Sequence, residues 1–544
     1  MGEYFMCIYR EKVKRTWKIA FFAAILAGLF VHMYKFTNFI PNHDSLYNFY
    51  ADQNMIASGR WFLMVSCALS SFFDLPWLTG VFSLINIGLT AVLLVEIFEM
   101  ENPFLIFLTG CLLTVFPAVT DTMTFSFTAD GYMLAMALAA FSVYVFRIEH
   151  LASKIRPLIS MLCICLACAI YQAYVSFALI IAVFYLMTVL LDNRSDLRQI
   201  FTWMRKMIVA SIGAMVLYYV VWKLTMKLQM VDPVSYRGID QVGSISLHTL
   251  LNAIFLSVRT FLVFILDRNI VEHGITIYSV INILVVLAAI CGICCAVINS
   301  KLMHRKVQLL LFVLCIASIP FVCCLWFFAS PGVSYSPRML QSCAVIYIWV
   351  CVVYDRWVKV KYRDVATVLI LVFILNCSLM ANTTYLLQER CCQRSYATAV
   401  EMASRIHMVD DGTAKDVLII GTGQNWKQED YIDEKKLGCL GPLRDSVNYS
   451  LMNEEYVAIP FLAQFTEFNL SYYSENGLEL PLFDAVAGAP VSGGWDLHFP
   501  AADEAVKRDI LSSDVFAEMG IWPSADSVVQ IGDTIVINLG NNGD

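Results

Sequence analysis

The segment TIYSVINILVVLAAICGICCAVI, residues Thr276 to Ile298, contains no charged side chain. An α-helix needs about 20 apolar residues to cross the hydrocarbon core of a bilayer, so this segment predicts a membrane-spanning helix. The whole chain has a similar character: 59% of its 544 residues are hydrophobic, 15% are charged, and the mean hydropathy is +0.67. These values lie outside the usage of soluble proteins, so we expect a protein that crosses the membrane many times.

Other segments have comparable length and apolar composition, some of them marginally. Tyr171 and Gln172 divide a run that is too long for one span, and this polar pair marks a turn between two helices. The predicted fold is therefore an all-α polytopic membrane protein with about eleven transmembrane helices. The predicted spans are Trp17 to Phe36, Trp77 to Phe98, Pro103 to Val119, Ala129 to Phe146, Pro157 to Ile170, Ala173 to Leu191, Met207 to Leu224, Thr276 to Ile298, Val307 to Phe328, Met339 to Tyr354 and Val365 to Met380.

Lys and Arg residues concentrate in alternate loops, and such loops are usually cytoplasmic. This bias predicts a cytoplasmic N-terminus and places everything after Met380 on the extracytoplasmic side. Two apolar stretches are left out of the count: Trp61 to Phe73 is too short to span, and Leu250 to Leu266 carries Arg259 at its middle. We interpret both as interfacial or re-entrant helices in the outer loops. The basic loops carry Arg147, Lys154, Arg156, Arg194, Arg198, Arg205, Lys206, Lys301, Arg305, Lys306, Arg356, Lys359, Lys361 and Arg363.

Residues 385–544 differ in composition from the transmembrane domain, residues 1–384. A helical stretch from Gln388 to Met408 precedes apolar runs typical of strands, at Val417 to Ile420, Val528 to Ile531 and Thr534 to Asn538. We predict a soluble extracytoplasmic α/β domain here. The net charge of −7 comes largely from the last third of the chain, so no nucleic-acid partner is expected. The Gly421-Thr422-Gly423 triplet indicates a tight turn rather than a nucleotide site.

Polar residues converge on the predicted outer loops, where ionisable groups near membrane depth suggest function. Asp44 and Ser45 open an amphipathic helix in the first outer loop. The candidate site residues are Asp44, Arg60, Asp121, Asp130, Tyr171, Gln172, Arg237, Tyr335 and Arg338.

Several short motifs lie in these same loops: PNHDSL and SGRW, then PWL, TADGY and AIYQAY, and finally PR before a late span. Together they resemble the Gtr-type O-antigen glucosyltransferases (glucosyl transferase GtrII), relatives of the GT-C membrane glycosyltransferases, over roughly the first 390 residues. The resemblance implies transfer of glucose or another hexose from a polyprenyl-phosphate donor to a cell-envelope glycan at the outer face. It also implies that Asp44 is the catalytic general base.

Chemistry suggests roles for the other candidates. Arg338, assisted by Arg60 or Arg237, could hold the leaving lipid phosphate, because a planar guanidinium matches phosphate geometry. Asp121 or Asp130 could orient sugar hydroxyls. A divalent cation between them is not favoured, since two carboxylates on separate loops make a poor metal site, and we expect no cofactor.

Structural alternatives remain open for these residues. Asp44 could simply cap the helix that it opens, and Arg338 or Arg60 could be interfacial anchors. Asp121 and Asp130 could stabilise a loop turn or cap a helix. Tyr171 and Gln172 could have a purely structural role, in which they hydrogen-bond to backbone groups at a tight helical turn. At the level of function, a transporter or flippase of lipid-linked saccharide and a scaffold that displays the C-terminal domain are the alternatives to an enzyme.

Overall fold

The computed structural model of the chain describes residues 13–47, 55–70, 75–192, 196–230, 246–267, 275–330, 333, 335–414, 416–421, 438–446, 450–452, 455–466 and 504–540. Helices dominate the part before residue 410. In chain order they are α1 (Arg15–Thr37), α2 (His43–Tyr47), α3 (Leu63–Cys67), α4 (Pro76–Phe98), α5 (Pro103–Val115), α6 (Pro117–Thr124), α7 (Ser126–Tyr144), α8 (Ile155–Ile170), α9 (Tyr174–Asp192), α10 (Leu197–Gln229), α11 (Leu247–Leu266), α12 (Ile277–Asn299), α13 (Lys306–Cys323), α14 (Trp326–Ala329), α15 (Cys343–Arg356) and α16 (Val360–Val409).

Local sequence sets several helix boundaries. Asn102 caps α5, since its side chain accepts hydrogen bonds from the backbone N–H groups of the next turn, and Pro103 follows at the first helical position. Thr276 and Ser279 form a reciprocal capping box at the start of α12. Pro117 follows the break between α5 and α6, which meet at an angle of 41°.

The chain is a polytopic all-α membrane protein with a small C-terminal domain, as predicted. Among the described residues, nine helices are long and apolar enough to cross a membrane, or ten if α5 and α6 form one bent span. The turn predicted at Tyr171 and Gln172 is confirmed, because α8 ends at Ile170 and α9 begins at Tyr174.

Two of the eleven predicted spans correspond to helices that are too short to be counted as spans, α8 and α15. α8 has 16 residues and α15 has 14, which at 1.5 Å per residue is less than the thickness of the hydrocarbon core. Most side chains of α15 are buried, so this helix lies inside the bundle rather than against lipid.

Helix α11 was predicted, over Leu250 to Leu266, to be interfacial or re-entrant. It is 20 residues long and meets the length and composition required of a span despite Arg259. A run of this length is sufficient to cross the bilayer, so helix length alone does not decide which loops lie on which side of the membrane. The cytoplasmic N-terminus and the extracytoplasmic C-terminal domain remain predictions.

Small residues allow close contacts within the bundle, where α1 packs against α4 and α5. Gly110 of α5 is a clear case, because a Cβ atom there would lie 2.6 Å from the carbonyl oxygen of Ala20 in α1. Such small-residue contacts are the usual means by which membrane helices associate, since lipid provides no hydrophobic drive between them.

The last span continues into the C-terminal domain without interruption. We predicted separate helices, one spanning from Val365 to Met380 and one beginning at Gln388, but both belong to the 50-residue helix α16. The intervening sequence ANTTYLL contains neither Gly nor Pro, so nothing in it ends a helix.

Among the described residues of the C-terminal domain, three strands form a sheet that packs on α16. Strand β1 (Asp416–Gly421) pairs in parallel with β3 (Thr534–Gly540), and β2 (Val528–Ile531) pairs antiparallel with β3, giving the order β1-β3-β2. The three predicted strands are therefore confirmed. Gly421 ends β1, while Thr422 and Gly423 of the predicted turn lie outside the described residues. The domain also contains a 3-10 segment (Gly438–Ser446) and the helices α17 (Glu455–Phe465), α18 (Glu504–Leu511) and α19 (Asp514–Glu518).

An ion-pair network marks one end of the bundle. Arg356 lies 2.5 Å from Asp192 and 3.5 Å from Glu99, which lies 2.5 Å from Arg147. All four residues come from loops or helix ends predicted to be cytoplasmic. Because α9 ends at Asp192, its first residue, Tyr174, marks the opposite end, and the candidate site lies there.

Candidate active site

A cavity of about 380 Å3 lies at the end of the bundle opposite the ion pairs. Asp44, Arg60, Tyr171, Gln172 and Arg338 all line it. Five of the nine candidate site residues are therefore brought together from distant parts of the chain. The aromatic side chains in the lining are Phe125, Phe127, Tyr132, Tyr171, Tyr218, Tyr219, Trp222 and Trp326.

Asp44 lies in the short helix α2, and 23% of its side-chain surface is exposed. The Oδ1 atom of Asn42 accepts a hydrogen bond of 3.0 Å from the backbone N–H of Asp44, so Asn42 caps this helix. The interpretation of Asp44 as the N-cap is therefore wrong. Asp44 lines the cavity, and its Oδ1 lies 3.4 Å from Nε2 of His43.

Arg338 lies in the 3-10 turn Pro337–Met339, between α14 and α15. Its Cζ atom is 3.7 Å from the centroid of the Phe125 ring, a cation–π contact that orients the guanidinium plane. The same ring also contacts His43, at 5.7 Å between centroids and 81° between planes. Phe125 thus contacts both Arg338 and the residue before Asp44, and the guanidinium is not extended along lipid like a snorkelling anchor.

The surroundings of Arg338 keep it charged. Burial by itself lowers the pKa of its guanidinium, but Asp121, and after it Tyr171, Tyr132 and Asp44, raise that pKa. The net direction is upward, so Arg338 supplies a permanent positive charge in the cavity.

Asp121 lies behind the cavity wall and is only 2% exposed. Its Oδ2 accepts hydrogen bonds from the backbone N–H of Arg338, at 2.8 Å, and from the hydroxyl of Ser336, at 3.4 Å. Its Oδ1 accepts a hydrogen bond of 2.6 Å from the hydroxyl of Ser446 in the C-terminal domain. The carboxylate is engaged by the protein, and Asp121 positions the turn that carries Arg338.

Asp130 is 3% exposed in α7 and is not among the cavity-lining residues. The adjacent Gly131 allows α3 to approach closely, since a Cβ atom there would lie 2.7 Å from the Ser66 hydroxyl and 3.0 Å from Sγ of Cys67. Asp121 and Asp130 thus have separate surroundings. Within the described ranges, no three His, Cys, Asp or Glu side chains come together in a way that could hold a metal ion.

Arg60 follows a tight turn that is held from two sides. Its Nε donates a 2.8 Å hydrogen bond to the Ser58 hydroxyl, and Nε2 of Gln172 donates to the Ser58 carbonyl, also at 2.8 Å. Gly59 has a φ of +83°, and a Cβ atom there would lie 2.2 Å from the hydroxyl oxygen of Tyr218. Only glycine meets both conditions, so the turn depends on it.

Stacked rings form much of the remaining wall. Tyr132 and Tyr171 stack with centroids 4.7 Å apart and planes within 12°. On α10, the indole N–H of Trp222 donates to the Ile56 carbonyl at 2.8 Å, which ties this helix to the Arg60 turn. Sequence reasoning did not select Tyr132 or Trp222: Tyr132 stands in the TADGY motif, whereas aromatic residues near a span end are ordinarily membrane-belt residues.

The two remaining candidates, Tyr335 and Arg237, are not placed in the cavity either. Tyr335 belongs to the same segment as Arg338, but it is not among the residues that line the cavity. Arg237 lies outside the described residues.

Fold and site together define a class: a multi-pass membrane protein with a polar, aromatic-lined cavity where the helices end. The model of the family described as glucosyl transferase GtrII matches residues 33–354. This match covers more than half of the chain, and the chain belongs to the glucosyl transferase GtrII family. It is therefore a membrane glycosyltransferase. No curated protein and no solved structure matches the chain.

Proposed function

We propose that this protein transfers a hexose, in the first instance glucose, from a polyprenyl-phosphate donor to a cell-envelope glycan on the extracytoplasmic face. The acceptor hydroxyl attacks the anomeric carbon, and Asp44 takes the hydroxyl proton. The bond between the anomeric carbon and the phosphate oxygen breaks, and the polyprenyl phosphate leaves. A single displacement of this GT-C type inverts the anomeric configuration.

The shared lining of one cavity by Asp44, Arg60 and Arg338 carries this proposal. A carboxylate supplies the base, and two guanidinium groups supply positive charge where the phosphate accumulates negative charge on leaving. The face of a hexose ring is apolar, so the stacked Tyr132 and Tyr171 offer a surface for it.

The position of α10 supports a lipid-borne donor. Its residues Tyr218 and Trp222 line the cavity, while Val216 and Val220 on the same helix are more than half exposed. An apolar exposed surface on a spanning helix faces lipid, so a polyprenyl chain could lie against α10 while its head group occupies the cavity.

The test is transfer from radiolabelled polyprenyl-phosphate-glucose to envelope glycan in membranes that contain the wild-type chain or Asp44→Asn. Loss of a general base typically reduces the rate by about 10²–10⁴-fold, and we expect a loss of this size. Asp355→Asn is a matched control, because Asp355 receives backbone N–H hydrogen bonds from Glu101 and Asn102 near the ion-pair end. Full activity of Asp44→Asn would remove Asp44 from the role of base.

The donor and acceptor require a separate measurement. Mass spectrometry of envelope glycans from cells with and without this chain should show a hexose-sized difference. Identical glycans, together with saccharide flux into vesicles in the absence of transfer, would instead favour a flippase.

A further inference from the structure

The C-terminal domain lies beyond the region matched by the family, yet it contacts the segment that carries Asp44. Leu46 of α2 is 0% exposed and belongs to the hydrophobic core of the C-terminal domain. In that core it joins Phe461 and Leu462 of α17 and Met402 of α16. A residue two positions from the proposed base is thus buried by a different domain.

A hydrogen bond and a ring contact reinforce this packing. Nε2 of Gln464 in α17 donates a 3.0 Å hydrogen bond to the carbonyl oxygen of Leu46. Phe39, which precedes α2, stacks on Phe465 with ring centroids 6.1 Å apart and planes at 23°. A five-residue helix is too short to be stable by itself, so its position depends on such tertiary contacts.

The same domain also reaches the turn that carries Arg338. The Ser446 hydroxyl donates to Asp121, and the Ser446 carbonyl accepts a 2.9 Å hydrogen bond from Nε2 of Gln388 in α16. Leu440 and Leu443, from the same 3-10 segment, are 0% exposed within the core of the bundle. The segment that carries Asp44 and the turn that carries Arg338 are therefore both held from the C-terminal side, whereas Arg60 is held by Ser58.

We propose that the C-terminal domain positions the active site: Leu46 and Gln464 are positioning residues for Asp44, and Ser446 is a positioning residue for Arg338. This inference rests on the proposed function, in which Asp44 is the base. It assigns the domain a role in the chemical step, because a base displaced by about 1 Å can reduce a rate by about 100-fold.

The test uses full-length protein in detergent, with polyprenyl-phosphate-glucose as the probe donor. In Leu46→Ala and Gln464→Ala we expect kcat to fall about 10- to 100-fold, while KM for the donor changes by less than about twofold. Hydrogen exchange of the backbone amides in residues 39–47 should become faster in both variants. Leu46→Met, which conserves volume, should restore most of the activity.

Two controls separate positioning from general damage to the domain. Leu539→Ala removes a similar side chain of the same core from strand β3 rather than from α2, and Gln393→Ala removes an exposed glutamine of α16. We expect both controls to keep kcat within about twofold of wild type. Three outcomes would overturn the proposal. In Leu46→Ala and Gln464→Ala, hydrogen exchange of residues 39–47 could stay unchanged, or it could become faster while kcat stays unchanged. The third outcome is a loss of kcat in Leu539→Ala equal to that in these variants.

The hydrogen-exchange measurement needs no sugar donor, so its result does not depend on whether the proposed function is correct. If Asp44→Asn retained full transfer, the proposed base would be wrong, whereas the exchange of residues 39–47 in Gln464→Ala would still report whether α17 holds α2.

Discussion

The carboxylate of Asp121 accepts a 2.8 Å hydrogen bond from the backbone N–H of Arg338, 217 positions later in the chain. The same carboxylate accepts the hydroxyl hydrogen bond from Ser446 at 2.6 Å. One buried acidic side chain therefore links α6, the Arg338 turn and the C-terminal domain. This arrangement explains how a short loop can present a guanidinium in a defined place.

Removing the Asp121 carboxylate should disturb Arg338 without removing it. Asp121→Ala leaves the Arg338 N–H without its acceptor, which should cost about 1–3 kcal/mol and reduce transfer. Asp121→Asn should be milder, because its amide oxygen can accept from Arg338 while its NH2 group donates to the Ser446 hydroxyl. Thermal unfolding in detergent and initial rates against donor concentration measure both effects. Equal damage in the two variants would show that the charge of Asp121, rather than its hydrogen bonds, is what matters.

The planar shape of Arg338 should matter as well as its charge. Arg338→Lys keeps the charge but loses the flat stacking on Phe125, so we expect about a tenfold loss of kcat/KM, and Arg338→Ala should lose about 10²–10³-fold. Phe125→Leu should resemble Arg338→Lys, because it removes the ring from beneath the guanidinium. Initial rates over a range of donor concentrations give the comparison. Wild-type activity in Arg338→Lys would mean that a point charge is sufficient.

Gly59 and Gly412 provide a matched pair with nearly the same backbone conformation. Their φ angles are +83° and +86°, but a Cβ atom at Gly59 would collide with Tyr218, whereas nothing lies within 4 Å of one at Gly412. Both Gly→Ala variants incur a left-handed strain of about 1–2 kcal/mol. Only Gly59→Ala should also displace the Arg60 turn and abolish most transfer. Equal activity of the two variants would show that the turn is not needed for catalysis.

The direction of the chain in the membrane can be tested with inserted epitope tags. Ser153 and Gly412 are both exposed and lie on opposite predicted sides of the membrane. A tag at Gly412 should bind antibody on intact cells, and a tag at Ser153 should bind only after permeabilisation, because basic loops stay in the cytoplasm. Antibody binding to the Ser153 tag on intact cells would reverse the predicted orientation.

Much of the helical bundle follows directly from the sequence, since an apolar run of sufficient length must satisfy its backbone hydrogen bonds internally. The break at Tyr171 and Gln172 was predicted because this polar pair divides an apolar run that is too long for one span. Whether Leu247–Leu266 crosses the membrane was not predictable from the sequence, because length and composition do not distinguish an interfacial helix from a spanning one. Nor did local pattern predict that α16 runs through the expected boundary near residue 385.

The sequence by itself determined the membrane class, the strands of the small domain and the residue types available for chemistry, because hydropathy and helix periodicity act over short segments. Only the tertiary structure decided that Asp44 and Arg338 share a cavity, that Asp121 is used by the protein itself, and that Leu46 is held by the C-terminal domain. These relationships join residues hundreds of positions apart. They depend on how helices and domains pack, and no local pattern in the chain specifies that packing.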